Sequence, residues 1–168
     1  MNQNKILIIE KTLFEMGQVL SQNQNLQKLL VLDKNDMSES FTPLTFQQLL
    51  DQEYISLAPR IESGLKNKDR NTFLVIHLND MNLSTDETRA SGYIFVGTDY
   101  AHVILKNNKN RLLQLINEVT NSLDGIKLSA AGEIGITYAS AVTYSESHFG
   151  YRISFNFNNQ ISIRKAEL

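Results

Sequence analysis

The chain has 168 residues, 42% of them hydrophobic and 20% charged, with a formal net charge of −2 and no cysteine. That length suits one domain with a sizeable core, and the composition is that of a globular protein. The absence of cysteine excludes disulfides, thiolate zinc sites and cysteine nucleophiles, and the near-balanced charge gives no basic field for nucleic acid.

The first apolar run, Ile6 to Ile9, is four residues long and ends at Glu10. It is too short for a signal-peptide core or a membrane span, so the expectation is a soluble, unsecreted protein without membrane contact. Ile6, Ile9, Leu13, Met16 and Leu20 recur at intervals of three and four, which predicts an amphipathic helix over about 4–21. Gly17 weakens that helix by roughly 1 kcal/mol relative to Ala without breaking it. Asn23 or Asn25 can cap a second short helix carrying Leu26, Leu29 and Leu30. The apolar stripe of these helices serves core packing or, alternatively, docking to another subunit.

Residues 33–43 read as an exposed loop. Thr45 and Gln48 form a capping box that starts a short helix running to about Gln52. Pro59 marks a break, and 60–65 reads as a short strand or turn. Residues 71–79 are a strand, apolar on both faces and therefore covered on both. The polar stretch 80–90 reads as a long projecting loop, and 92–99 as the returning antiparallel strand. Residues 101–105 extend that strand or begin a separate piece.

Lys109 to Leu123 is the strongest helix, with Leu112, Leu115, Ile116, Val119 and Leu123 in one stripe. Asn107, Asn108 or Asn110 can cap it, and Gly125 suits the left-handed terminator. Residues 126–139 read as a strand with Ile134, Ile136 and Tyr138 on one face, and Gly132 and Gly135 mark a bulge or a close backbone approach. Residues 140–147 form a loop. Then Phe149, Tyr151, Ile153, Phe155 and Phe157 fall on alternate positions, the clearest period-two signal in the chain. Ile161 and Ile163 can add a short terminal strand.

These elements predict an α+β fold: an antiparallel sheet with helices packed on one face. The expected organisation is a single domain over 1–168, with an N-terminal helical segment over 1–32 and a sheet-and-helix core over 70–158.

Little in the chain points to chemistry. His77, His102 and His148 lie far apart without metal-ligand spacing, and each reads as structural. No glycine-rich strand-to-helix loop is present, and Gly132 and Gly135 sit inside a strand pattern. Asp80, Asp86 and Glu87 share one loop without calcium-loop spacing. Lys106, Lys109 and Arg111 cluster at the start of the main helix and read as an exposed polar turn. No catalytic, cofactor or metal residue is assigned, and the reading is not an enzyme.

Two stretches carry a resemblance. One is Arg111 through Gly125. The other is Lys127 through Ile136, continued by His148 through Phe155. Together they resemble the tail-terminator and tail-completion class of head–tail connector proteins in long-tailed bacteriophages. The N-terminal helix and the segment Asn25 to Leu30 resemble the opening of some phage neck proteins.

That resemblance implies a tail-terminator-like fold and a structural virion protein that assembles into a ring, commonly a hexamer, at the head–tail junction. It implies tail tube protein and connector or stopper proteins as partners. DNA would pass through the lumen without specific binding, and the location would be the virion, after assembly in the host cytoplasm. It implies no catalytic residue and no cofactor. The expected interface residues are Asp80, Asp86, Glu87 and Arg89 in one loop and Tyr144 and Glu146 in the other. The alternatives are another neck component, a stopper or adaptor, or a small intracellular enzyme or ligand-binding domain.

Overall fold

The computed structural model describes residues 3–32, 35–57, 71–83, 88–129, 131–143 and 146–157. Helix α1 (Gln3–Ser21) runs straight through Gly17. A Cβ at Gly17 would lie 2.6 Å from the Phe46 ring, so this glycine makes room for the first residue of the third helix. In α2 (Gln24–Val31) the Asn23 side chain accepts from the Leu26 amide at 3.0 Å, the expected N-cap. In α3 (Phe46–Asp51) the Thr45–Gln48 capping box closes in both directions, at 3.2 and 2.8 Å. The main helix, α4 (Arg111–Leu123), takes Asn110 as its cap from the three candidates. Gly125 follows its end at φ +75°, a left-handed conformation that costs a residue without Cβ little.

Six strands share one sheet: β1 (Ile55–Ser56), β2 (Thr72–Leu83), β3 (Thr88–Asp99), β4 (Lys127–Leu128), β5 (Gly132–Thr143) and β6 (His148–Phe157). Their spatial order is β1-β2-β3-β6-β5-β4. The sheet is mixed, which corrects the antiparallel expectation. β1 runs parallel to β2, with Ile55 beside Leu74 and Ser56 beside Val75, and the remaining pairs are antiparallel. A two-residue strand has no periodicity to read in sequence.

The helices gather on one face, as expected. Leu74, Ile76, Ile94, Val96, Ile134, Ile153 and Phe155 meet Met16, Leu20, Leu26, Leu29, Leu30, Leu49, Leu112, Leu115, Val119 and Leu123 in one core. The alternating aromatics of β6 point into it, and α4 lies over them. On the opposite face Phe73, Val75 and Phe95 form a second cluster with Tyr93, to which no described helix contributes.

Several expectations are corrected by the strand boundaries and register. Residues 80–83 and 88–90 are strand, not loop: Asp80 pairs with Ser91, Met81 with Ala90, Asn82 with Arg89 and Leu83 with Thr88. The loop expected over 140–147 shrinks likewise, because β5 continues to Thr143. The strand expected over 126–139 is two strands, separated at a turn where Gly132 adopts φ +82°. The bulge in β5 falls between Ile136 and Tyr138, beyond the glycines that suggested one. An extra residue reverses the alternation, so Tyr138 turns away from the face shared by Ile134 and Ile136. The stretches 60–65 and 161–163 lie outside the described residues. No helix among the described residues is long and apolar enough to cross a membrane.

Candidate functional site

The basic cluster at the start of α4 divides. Arg111 is fully buried, which corrects its reading as part of an exposed turn. Its Nη1 donates to the carbonyls of Leu29 (2.6 Å) and Leu32 (2.9 Å) at the end of α2. Its Nε donates to the His102 carbonyl at 3.0 Å, and Nη2 to Asn35 Oδ1 at 3.3 Å. A guanidinium placed on the last carbonyls of a helix satisfies groups that have no intrahelical partner, and its charge opposes the negative end of the helix dipole. Arg111 is thus a structural clamp between α2, the turn at His102 and α4.

Lys106 leaves the cluster for the preceding loop, where Nζ lies 2.7 Å from Asp36 Oδ2. Asp36 also accepts from the Ser38 hydroxyl and amide. The hydrogen bond from Lys106, then those from Ser38, hold the Asp36 carboxyl well below its ordinary 3.8. The Asp36 carboxylate correspondingly raises the Lys106 amine. A carboxyl lowered in the folded state contributes stability above its unfolded pKa and loses it as the pH falls toward the folded value. Lys106→Met is therefore expected to be less stable than wild type at neutral pH, by a margin that shrinks as the pH drops below 3.8. Urea unfolding across that range measures the margin; a constant difference would remove Asp36 as its source.

A depression of about 210 Å³ opens between α2 and α4 beside the 105–109 turn. Its ionisable lining is Lys109 and Glu118, and the Glu118 carboxylate already accepts from Asn23 Nδ2 at 2.9 Å. Among the described residues no three His, Asp or Glu side chains approach closely enough to hold a metal ion. His148 Nδ1 lies 2.8 Å from Ser147 Oγ, and His102 Nδ1 lies 3.8 Å from Asp99.

The expected interface residues do not converge. Asp80 and Arg89 sit in the far part of the β2–β3 hairpin, paired with Ser91 and Asn82. Glu146 is exposed just before β6. Asp86, Glu87 and Tyr144 lie outside the described residues. Because β3 and β6 are antiparallel neighbours, with Ser91 beside Asn156 and Asp99 beside His148, the two hairpin ends fall at opposite ends of the sheet.

The sheet edges are what the sequence reading missed. β1 pairs with β2 only at Leu74 and Val75, and β4 pairs with β5 only at Gly132 and Glu133. The end of α4 covers β5 a little further: Gly125 and Ile126 bond to Ile134, and Asp124 Oδ1 accepts from the Ile136 amide at 2.9 Å. From Thr137 to Thr143 no described strand pairs with the outer edge of β5, and Thr137, Tyr138, Ala139, Ala141 and Thr143 are exposed. Beyond Val75 no described strand pairs with the outer edge of β2.

Comparison with models of known protein families finds no match, and comparison with curated proteins finds none either.

Proposed function

We propose that the protein is a non-enzymatic structural subunit that closes into a ring, of the tail-terminator or tail-completion kind found at the head–tail junction of long-tailed phages. The observation that carries this reading is that, among the described residues, two long strands on opposite sides of one sheet have no strand paired along most of their outer edges. Such edges invite pairing with another chain unless they are covered. β2 and β5 run in opposite directions, so two copies related by rotation about an axis along the strands bring β5 of one against β2 of the next as an antiparallel pair. That contact is head-to-tail and closes a ring when the rotation closes.

The hairpin ends then project from opposite rims, one on the side of Asp80 and Arg89 and the other on the side of Glu146. In the virion one rim would meet the tail tube and the other the connector or stopper, with DNA passing through the lumen.

Mass photometry and electron microscopy of the purified protein, with and without tail tubes, test the proposal. A chain that stays monomeric and binds neither tubes nor connectors would overturn it. Ala139→Lys with Ala141→Lys places two charges on the open edge of β5 and is expected to convert rings to monomers while near-ultraviolet circular dichroism stays unchanged. Rings that survive both substitutions would move the interface elsewhere.

A further inference from the structure

The sheet face turned away from the helices holds a cation without an acceptor. Arg152 lies in the middle of β6, directly between Phe95 on β3 and Ser140 on β5. Its guanidinium carbon stands 4.6 Å from the centroid of the Tyr93 ring. Its Nε is enclosed and meets no hydrogen-bond partner, and Arg152 forms no ion pair among the described residues. Ser140 Oγ and Ser154 Oγ are enclosed and unpartnered as well. Ser154 is only 7% exposed, and it lies on the same face between Tyr93 and Tyr138. An enclosed donor left unsatisfied costs about 1–3 kcal/mol, and more when it is charged. Three such groups hold neighbouring register positions on one face.

We propose that this face docks an acidic peptide segment of a partner protein, with Arg152 receiving a carboxylate. The guanidinium fork matches a carboxylate with two parallel N–H···O bonds, and Ser140 and Ser154 hold the neighbouring register positions. The Tyr93 ring holds the guanidinium by its negative face. Tyr138, 54% exposed, offers an amphipathic ring against which a peptide, unlike a free anion, can bury carbon. A nucleic acid is disfavoured by charge. Arg152 is the one cation in the rows of residues 93, 95, 138, 140, 152 and 154, and the chain is net negative, so the phosphate-driven term has little to act on. The proposal concerns a face of the sheet and does not rest on pairing at its edges.

The test follows the Nε–Hε resonance of Arg152 in the full, isotope-labelled chain. The probe is an acetylated, amidated pentapeptide of alternating Glu and Ala, and the control replaces each Glu by Gln. The resonance is expected to move with the Glu peptide and to stay put with the Gln peptide. Arg152→Met is expected to weaken binding about tenfold or more, and Ser154→Ala about threefold, each with an unchanged circular dichroism spectrum. If Arg152→Met does not fold, the wild-type titration and Ser154→Ala decide. The proposal is overturned if both peptides shift the resonance equally, if neither shifts it, or if inorganic phosphate or a short oligothymidylate binds more tightly than the Glu peptide.

Discussion

Arg111→Ala is expected to destabilise the protein by about 3–5 kcal/mol, the range seen when one partner of a buried charged network is removed. Among the described residues four acceptors lose their donor at once: the carbonyls of Leu29, Leu32 and His102, and the side-chain oxygen of Asn35. The first two belong to the end of α2, so that helix loses both its C-terminal partners and its compensating charge. The departing side chain, fully buried, also leaves a void beside the end of α2. Arg111→Lys keeps the charge but offers a compact ammonium in place of a planar fork spread over three directions, and is expected to recover less than half of the loss. Urea denaturation at neutral pH measures both, with the slope of the transition unchanged if the unfolded state is unaffected. A cost for Arg111→Ala below about 1 kcal/mol, the level of an ordinary surface change, would mean that solvent satisfies these carbonyls.

Why Arg111 escaped the sequence reading follows from the nature of its partners. Carbonyl groups carry no residue signature, and those of Leu29 and Leu32 lie about eighty positions away. Beside Lys106 and Lys109, Arg111 looks like a solvated charge. Local features were legible for the opposite reason. The caps at Asn23, Thr45 and Asn110 and the left-handed Gly125 depend on residues within a turn of each other. The aromatic alternation of β6 was legible because a strand with one buried face repeats its constraint at every second residue.

The same logic marks where the pattern fails. Residues 80–83 and 88–90 are strand because each arm of the hairpin has the other for a backbone partner, and that pairing imposes no alternation on the side chains. The phase reversal at Thr137 is a single inserted residue, invisible to any count of apolar positions on either side. That no described strand pairs with most of the outer edges of β2 and β5 depends on strand order, which local composition does not encode. The candidate site inherits these limits. Asp80 and Arg89 were singled out as residues of a loop, and the register makes them part of a hairpin arm. The register also parts them from Glu146 by the length of the sheet.

Phe155→Ala is expected to cost about 3–5 kcal/mol, the usual range for emptying a buried phenylalanine site. The ring is 2% exposed and lies in the main core, against Phe157 at 5.7 Å between centroids. It also fills a gap in its neighbour. Phe155 is directly opposite Gly92 on β3, and a Cβ at Gly92 would lie 2.7 Å from its Cζ. The ring therefore covers a glycine that would otherwise leave backbone unprotected in the middle of the sheet. Phe73 does the same for Gly97 on the other face, with a ring carbon 2.8 Å from the site of a Cβ there. Truncating Phe155 removes core contact and cover together, so the loss belongs at the upper end of the range. Adding a methyl at Gly92 should not rescue it. That methyl would also run into the carbonyl oxygen of His77, a backbone atom held by the β2–β3 ladder and unable to swing aside as a ring can. The double variant Gly92→Ala with Phe155→Ala is accordingly expected to be less stable than Phe155→Ala alone. Thermal and urea unfolding of the two single variants and the double variant form the cycle that measures this. Recovery of stability in the double variant would show that the Phe155 ring, and not the His77 carbonyl, is what keeps position 92 a glycine.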